Sequence, residues 1–265
     1  MSDWRSYDGV ADRYDEVAAP RFRAVARKMW ALLPTPAGAR TLDIGTGTGI
    51  VPLAAGEGAT PGLAVAADRS ARMLARAREG APWLRVLACD AIALPFHDRV
   101  FAIVTAGFVL SHLREPDRAL REAHRVLRTG GAIAVSSWAP VSDPFSAVWS
   151  ECLAEAITRA EAERAWSEVI PSEVRFSEGG RLESALRDAG FSAAACEAVD
   201  LDLALTVSQF ADDRELTAGG RRARSLLGDE QWTRFKARVH AVIEGRFGPA
   251  LRYSRRAFIA AGRKT

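Results

Sequence analysis

The feature that most constrains the fold is an apolar run that leads directly into a glycine-rich loop. Residues 39–44 are followed at once by Gly45, Gly47 and Gly49. The small residues from 50 to 56 then predict a helix. Glycine lets the backbone turn sharply and lets a ligand approach it closely. The pattern predicts the opening strand, loop and helix of a nucleotide-binding α/β fold. By itself it leaves nicotinamide, flavin and S-adenosylmethionine ligands open.

The residues around the loop narrow that choice. A dinucleotide-binding loop needs glycine or alanine three residues after its second glycine, to pack the helix on the strand and cradle a pyrophosphate. That position is Ile50, and the loop is preceded by the acid Asp43. A carboxylate is unfavourable beside a pyrophosphate, but it suits a ligand that carries an ammonium and a sulfonium and no phosphate. The sequence therefore argues against a dinucleotide.

Apolar runs alternate with helical patterns through the first half of the chain. The runs are apolar throughout, which is typical of a parallel sheet covered on both faces. Asp68 follows the second run and Asp90 the third, where carboxylates can bind ribose hydroxyls or read adenine. The alternative role for each is a helix-entry or turn carboxylate. We predict strands at 39–44, 63–67, 84–88, 100–106 and 132–136, a helix from 70 to 78 capped by Ser70, and a helix over 117–128 that ends at Gly130-Gly131.

After residue 139 this rhythm is interrupted twice. Residues 140–177 and 207–246 have helical patterns and no strand, whereas 191–205 and 251–262 are typical of strands. We predict a cofactor-binding core and two helical insertions that cover the carboxyl edge of its sheet. The core comprises residues 1–139, 178–206 and 247–265, and the insertions are 140–177 and 207–246.

The composition of the chain argues against several cellular locations and several kinds of partner. The net charge is only +3, and arginines are spread along the chain beside acids, so no basic stripe indicates nucleic acid. No apolar run approaches the roughly 20 residues that a membrane span needs, and the polar amino terminus is not typical of a signal peptide. The three cysteines are isolated, which argues against disulfide and metal sites. We expect a cytoplasmic protein without a membrane, nucleic-acid or metal partner.

Four motifs together resemble one family. They are similar to those of class I S-adenosylmethionine-dependent methyltransferases, and most like the branch of ubiquinone and menaquinone C-methyltransferases and many natural-product methyltransferases. The resemblance implies a Rossmann-like, doubly wound α/β fold, whose mostly parallel seven-stranded sheet has an antiparallel C-terminal strand and helical lid insertions. The motifs are Tyr7-Asp8-x-Val10-Ala11-x-x-Tyr14-Asp15, the glycine loop with Asp68, Asp90-Ala91-x-x-Leu94-Pro95-Phe96, and Arg125-Val126-Leu127-x-x-Gly130-Gly131.

The resemblance also implies how S-adenosylmethionine, and its product S-adenosylhomocysteine, would be bound. Asp43 would orient the amino group, Asp68 would bind both ribose hydroxyls, and Asp90 with the Ala91 amide would read adenine. Tyr14 would close over the cofactor. The full set of cofactor-binding residues predicted in this way is Tyr14, Asp43, Gly45, Gly47, Gly49, Asp68, Arg69, Met73, Asp90, Ala91, Gly107 and Phe108.

The sequence gives fewer indications of how the methyl acceptor would be bound. Methyl transfer from a sulfonium mainly needs alignment and a dry site, so a base is optional. His112, just past the fourth strand, is the candidate base, and His97 in a polar turn is a weaker one. Trp138, Phe145 and Trp149 are candidates for an apolar acceptor pocket.

We therefore expect a methyltransferase, monomeric or homodimeric, that acts on a small apolar or aromatic molecule at oxygen, nitrogen or carbon. Two alternatives stay open. One is an RNA or protein methyltransferase, for which the binding surface would be Arg221-Arg222-x-Arg224 together with Arg252 and Arg255-Arg256. The other is a cofactor-binding protein that does not methylate, of a cyclase or regulatory type.

Overall fold

A seven-stranded sheet forms the centre of the computed structural model, which describes residues 3–55 and 62–265. The strand order is β3-β2-β1-β4-β5-β7-β6. Strands β1 to β5 pair in parallel, and β7 runs antiparallel to both β5 and β6. This confirms the predicted fold class. The strands are β1 (Arg40–Ile44), β2 (Leu63–Asp68), β3 (Arg85–Ala88), β4 (Phe101–Gly107), β5 (Leu127–Trp138), β6 (Ser192–Thr206) and β7 (Ala250–Arg263).

Helices lie on both faces of the sheet and beyond its carboxyl edge. The helix α4 begins as predicted, because the Ser70 hydroxyl accepts a hydrogen bond from the Met73 N–H. The last long helix bends at Gly228, where φ is 71°. The helices are α1 (Ala11–Val17), α2 (Ala19–Ala31), α3 (Ile50–Ala55), α4 (Ala71–Gly80), α5 (Pro116–Val126), α6 (Pro144–Ala156), α7 (Arg159–Val169), α8 (Gly179–Asp188), α9 (Val207–Leu216) and α10 (Ala218–Phe247), with 3-10 turns at Asp3–Val10, Leu110–His112 and Val174–Phe176.

The order of the strands places the functional site. Strand β1 pairs with β2 on one side and with β4 on the other. The chain therefore builds β2 and β3 on one side of β1 and then crosses over to build β4 and β5 on the other side. At such a switch point the loops that follow the strands diverge and leave a crevice at the carboxyl edge. The central strand β4 is buried from Phe101 to Ala106, and its last residue, Gly107, is partly exposed at that edge. Ligand-binding residues are therefore expected after β1, β2 and β4.

One predicted boundary is wrong. The sequence predicts a helix that ends at Gly130-Gly131. In the structure α5 ends at Val126 and β5 begins at Leu127, so both glycines lie inside the strand. The register of β5 against β4 shifts between Phe101 and Ile103. At this irregularity Gly130 adopts φ of 76°, and its N–H donates to the Lys264 carbonyl. The glycines thus shape a bulged strand, which apolar periodicity alone does not distinguish from a helix end.

The two predicted insertions are helical. Helices α6 and α7 lie within 140–177, and α9 and α10 take up most of 207–247. Their apolar faces form a cluster of their own, built around Trp149, Phe210, Trp232 and Phe235. We call the helices α6, α7, α9 and α10 the cover. Within the described residues, no helix combines the length and the apolar character that crossing a bilayer requires.

Candidate functional site

A cleft at the carboxyl ends of β1, β2 and β4 brings most of the predicted site residues together. It encloses about 980 Å³ of space, part of which is open to solvent. Core loops form one wall, while residues of the amino-terminal segment and of the cover form the other. The described lining is Tyr7, Tyr14, Ile44, Gly45, Gly47, Ala67, Asp68, Arg69, Met73, Cys89, Ala91, Gly107, Phe108, Val109, His112, Leu113, Val169 and Ala218.

Two glycines of the loop after β1 have different reasons to be glycine. Both have positive φ, 68° at Gly45 and 54° at Gly47. A Cβ on Gly45 would overlap the side chain of Val109, whereas a Cβ on Gly47 would meet no atom within 4 Å. Gly45 thus allows the loop after β4 to pack closely. At Gly47 the loop leaves an open space, which we call the cradle, and any side chain at this position would begin to fill it.

Gly49, also predicted to bind the cofactor, packs against a helix. It is buried, and it is absent from the described lining of the cleft. A Cβ at this position would lie 3.1 Å from the Cβ of Ala77, on α4. The close approach of the glycine loop to α4 therefore requires this glycine.

Asp43 lies beneath the loop and is only 3% exposed. Its Oδ1 accepts a hydrogen bond of 2.6 Å from the Thr105 hydroxyl. Its Oδ2 is buried without a hydrogen bond from the described residues. Burial raises the pKa of this carboxyl to about 7, while the hydrogen bond from Thr105 opposes that shift. One oxygen of this carboxyl group therefore has no hydrogen-bond donor among the described residues, and Asp43 itself is not in the described lining of the cleft or of the neighbouring hollow.

Asp68, at the end of β2, lines the cleft with a fixed carboxylate. Its Oδ2 accepts the Gly47 N–H and its Oδ1 accepts the Ser70 N–H, both at 2.9 Å. Burial raises the pKa of Asp68, and the backbone hydrogen bonds from Ser70 and Gly47 counteract that rise. Each carboxylate oxygen can accept a further hydrogen bond, so the group can still receive hydroxyl donors from the cleft.

The residues after β2 and β3 surround the next part of the cleft. Arg69, Met73 and Ala91 line it as predicted. The described lining does not include Asp90, whose Oδ1 accepts the Ile92 N–H at 3.3 Å and whose Oδ2 lies 3.4 Å from Arg69. Asp90 therefore shapes the turn that presents Ala91.

A smaller hollow continues from the cleft on the other side of the glycine loop. It shares Tyr14, Gly47 and Phe108 with the cleft, and Phe22 and Met29 of α2 close it. Phe108, with φ of 57°, packs its ring against Phe22 at a centroid distance of 5.2 Å. Trp138 stacks on the Phe108 ring at 4.4 Å and so supports it from behind, since Trp138 is not in the described lining of either space.

His112 lies in the other half of the cleft, which we call the acceptor half. This half is bounded by Tyr7, His112, Leu113, Val169 and Ala218. Burial lowers the pKa of His112 to about 4, and the nearby Arg221 lowers it further, against a hydrogen bond to the Val169 backbone. The imidazole is therefore neutral at neutral pH. It can accept a hydrogen bond, but it is a weak base.

Phe145 and Trp149, predicted to contact the acceptor, lie in the interior of the cover. Both belong to the apolar cluster of the cover and are about 5% exposed. Trp149 packs edge-on against Phe235 at 4.8 Å, and Phe145 packs against Phe210 at 6.1 Å. They are absent from the described lining of the cleft because four helices need an apolar interior of their own.

Several lining residues were not predicted from the sequence. Tyr7 belongs to the motif that begins Tyr7-Asp8, so its position carried a signal. Val169 and Ala218 carried none, because they are ordinary apolar residues at element ends in the insertions. Their place in the cleft depends on how the cover packs on the core.

Comparison with known proteins identifies the family of this chain. A family profile described as "Methyltransferase domain" matches residues 42–135. The chain is 36% identical over 159 residues to the demethylmenaquinone methyltransferase of Renibacterium salmoninarum, a match that spans 57% of this chain and 65% of that protein. It is 34% identical over 195 residues to the demethylmenaquinone methyltransferase of Mycobacterium marinum, spanning 66% of this chain and 82% of that protein. The chain belongs to the class I S-adenosylmethionine-dependent methyltransferases.

The branch is the one that includes the demethylmenaquinone methyltransferases. A solved structure with the same fold is a phosphoethanolamine N-methyltransferase of Haemonchus contortus in complex with S-adenosylhomocysteine. It superimposes with a TM-score of 0.56 at 17% identity, over 97% of this chain and 58% of that one.

The residues present in this methyltransferase fit S-adenosylmethionine. The cradle at Gly47 is open to a ligand, and the buried Oδ2 of Asp43, which has no hydrogen bond from the described residues, is an acceptor of the kind that an ammonium group needs. Asp68 offers acceptor oxygens for hydroxyl groups at the adjacent strand end. A pyrophosphate near Gly47 would meet the carboxylate of Asp68, whose oxygens accept hydrogen bonds, so the site also disfavours a dinucleotide.

Proposed function

We propose that the protein methylates a small, apolar or aromatic molecule that binds in the acceptor half of the cleft. The observation that carries this proposal is the composition of that half. Its described walls are the rings of Tyr7 and His112 and the apolar side chains of Leu113, Val169 and Ala218. A planar apolar molecule would bury its surface there, because such pockets gain affinity mainly from apolar contact. The demethylmenaquinone methyltransferases provide a model for this acceptor class.

The cofactor would occupy the other half of the cleft. Among the residues that line it, Gly45 and Gly47 would lie along the methionine part, Asp68 would bind the ribose, Ala91 would contact adenine, and Phe108 would lie beside the sulfonium. The bound cofactor supplies an electrophilic methyl group. The aromatic stack of Phe22, Phe108 and Trp138 keeps water away from that region. Exclusion of water favours displacement at a sulfonium, because it leaves the charge unscreened.

His112 would orient the acceptor. One ring nitrogen is engaged with the Val169 backbone. The other can therefore accept a hydrogen bond from an acceptor hydroxyl, which aligns the nucleophile and increases its electron density. With a pKa of about 4, the imidazole would hold this hydrogen bond without retaining the proton.

The cover supports a small acceptor over a macromolecular one. We infer that residues 140–177 and 207–246 act as a lid, since Val169 and Ala218 belong to them and face the cleft. Arginines at its outer side are paired with acids, for example Arg224 with Glu215 at 2.6 Å and Arg222 with Glu168 at 3.1 Å. An RNA site would need a basic surface available to phosphates. A cytoplasmic location, a monomeric or homodimeric state and a role in natural-product biosynthesis remain parts of this proposal.

An acceptor panel tests the proposal. The protein would be incubated with methyl-labelled S-adenosylmethionine and, separately, with a short-chain demethylmenaquinol, simple naphthols, bulk tRNA and a protein mixture. The hydroquinone form is used because a quinone carbon is electron-poor and a poor nucleophile. We expect label in one or more of the small aromatic acceptors and none above background in tRNA or protein. Efficient labelling of tRNA or protein alone would contradict the small-acceptor assignment.

A further inference from the structure

A buried arginine of the cover lies directly behind one wall of the acceptor half. Arg221 of α10 is 8% exposed, and its guanidinium carbon lies 3.8 Å from the centroid of the Tyr7 ring. Its Nη1 also donates a hydrogen bond to the Leu216 carbonyl. Tyr7 lines the cleft, whereas Arg221 faces a separate groove on the outer side. The tyrosine ring therefore stands between the acceptor half and the arginine.

The position of Arg221 behind Tyr7 follows from the sharp junction between α9 and α10. The Thr217 hydroxyl caps α10 by accepting the Gly220 N–H at 3.0 Å. A Cβ on Gly219 would lie 2.7 Å from the ring of Trp166, and a Cβ on Gly220 would overlap the Arg214 carbonyl. Two glycines are thus needed for α10 to start so close to α7 and α9. The first turn of α10, which carries both Ala218 and Arg221, is held firmly in place.

Ring contacts of Tyr7 connect the position of Arg221 to the cleft. Its ring meets those of Tyr14 and His112 edge-on, each at a centroid distance of 6.0 Å. All three rings line the cleft. A guanidinium stacked on a tyrosine face is attracted to the ring, and this contact favours one ring orientation. Without that contact, nothing else described on α10 stacks on the outer face of Tyr7.

We propose that Arg221 is a positioning residue, which acts through Tyr7 to shape the acceptor half and leaves the cofactor half unchanged. The inference rests on the proposed function for its effect on acceptor binding. Its geometric part, the dependence of the Tyr7 ring on Arg221, does not need any acceptor. The cofactor half is independent because Gly47 and Asp68 are held by the sheet and by each other.

The geometric part is tested by NMR on the complex with S-adenosylhomocysteine. We expect a nuclear Overhauser effect between ring protons of Tyr7 and His112 in the wild type and in Arg221→Lys, which keeps the charge. The effect should be lost or strongly reduced in Arg221→Gln, which keeps a donor for Leu216 but lacks the charge. The matched control is Arg222→Gln, because Arg222 is the next residue and pairs with Glu168 instead. An undiminished effect in Arg221→Gln would overturn the proposal.

The functional part is tested by a double-mutant cycle with the best acceptor from the panel. Arg221→Gln should raise the acceptor KM about tenfold, the loss expected for a cation–π contact. Tyr7→Ala, which also removes a wall of the acceptor half, should raise it at least as much. The Kd of Arg221→Gln for S-adenosylhomocysteine should stay within about twofold of wild type. The double variant should show no loss beyond that of Tyr7→Ala, since Arg221 acts through Tyr7. Additive losses, or a wild-type acceptor KM in Tyr7→Ala, would refute the proposal even if Arg221→Gln did not fold.

The two tests distinguish a failure of the proposed function from a failure of the role assigned to Arg221. If nothing in the panel is methylated, the proposed function fails, while the NMR comparison still decides whether Arg221 positions Tyr7. If an acceptor is methylated and the NMR effect persists in Arg221→Gln, only the role of Arg221 is wrong.

Discussion

The backbone N–H of Gly47 donates a hydrogen bond of 2.9 Å to Oδ2 of Asp68, across 21 residues of sequence. This contact joins the glycine loop after β1 to the acid after β2. Because Oδ1 of the same carboxylate is held by the Ser70 N–H, the group cannot rotate freely. Its remaining acceptor positions are therefore presented in a fixed direction, as recognition of a pair of ribose hydroxyls requires.

Replacement of Asp68 by alanine should weaken cofactor binding without unfolding the protein. Two hydrogen bonds from hydroxyls to a charged acceptor correspond to roughly 2–4 kcal/mol of binding free energy. Calorimetry with S-adenosylhomocysteine measures the loss. The control is Asp200→Ala on β6, an exposed acid that pairs with Arg256. Wild-type affinity in a folded Asp68→Ala protein would reduce Asp68 to a residue that only ties the two loops together.

Gly47→Val should abolish cofactor binding in a protein that still folds. A valine at positive φ costs about 1–2 kcal/mol in backbone strain, and its branched side chain would occupy the open cradle. Gly130→Val is the matched control, because Gly130 also has positive φ and open space around its Cβ position but lies in β5. The two variants should lose similar stability on thermal unfolding. Only Gly47→Val should lose affinity for S-adenosylhomocysteine, and normal turnover by it would rule out the loop assignment.

The cofactor half was largely predictable from the sequence, for a physical reason. Its residues follow strands directly, and parallel strands of one sheet all end at one edge. Asp43, Gly47 and Asp68 therefore meet once the strands are placed, whatever the rest of the chain does. The exceptions follow the same logic. Gly49 and Gly130 satisfy close packing and a bulge, two backbone demands that use the same residue type as a ligand loop.

The acceptor half was not predictable to the same degree. Val169 and Ala218 reach the cleft only because the cover docks on the core, a long-range event without a local pattern. The same helices must also bury their own apolar faces, which is where Phe145 and Trp149 lie. Aromatic residues in an insertion are suited to either place, and composition does not separate them.

Cofactor affinity should depend on pH through Asp43. Burial raises the pKa of its carboxyl to about 7, so the folded protein without cofactor retains that proton from pH 4 up to about 7. The folded state therefore binds more protons than the unfolded chain, and this group makes stability fall as pH rises through that window. A cofactor ammonium near Oδ2 favours the charged form, so S-adenosylhomocysteine should bind about tenfold more tightly at pH 7.5 than at pH 6. Calorimetry on Asp43→Asn should show weaker binding without this dependence. An equal dependence in both proteins would contradict the contact.

Turnover should show no titration of His112 near pH 6.5. With a pKa lowered to about 4 by burial, its imidazole stays neutral through the range from about pH 5 to 8. The unfolded chain takes up a proton at His112 below about pH 6.5, so the stability that this residue contributes is lost as pH falls towards 4. His112→Ala should lower kcat about tenfold at every pH in that range, the loss expected for one hydrogen bond. An inflection near pH 6.5 that disappears in His112→Ala would instead identify a titrating base.

Enlargement of Ala218 should narrow the acceptor half and leave the cofactor half intact. Ala218 is 5% exposed and is the cover residue of α10 that lines the cleft beside Tyr7 and His112. The first turn of α10 cannot easily retreat, because Gly219 and Gly220 already pack against Trp166 and the Arg214 carbonyl. The extra atoms of Ala218→Leu must therefore extend into the cleft. We expect the acceptor KM to rise at least about tenfold for a bicyclic aromatic acceptor and less for a monocyclic one, because overpacking costs about 1–3 kcal/mol. Ala237→Leu, at an exposed position on the same helix, is the control and should behave as wild type. If Ala218→Leu instead weakens S-adenosylhomocysteine and spares the acceptor KM, Ala218 faces the cofactor and the acceptor must bind elsewhere.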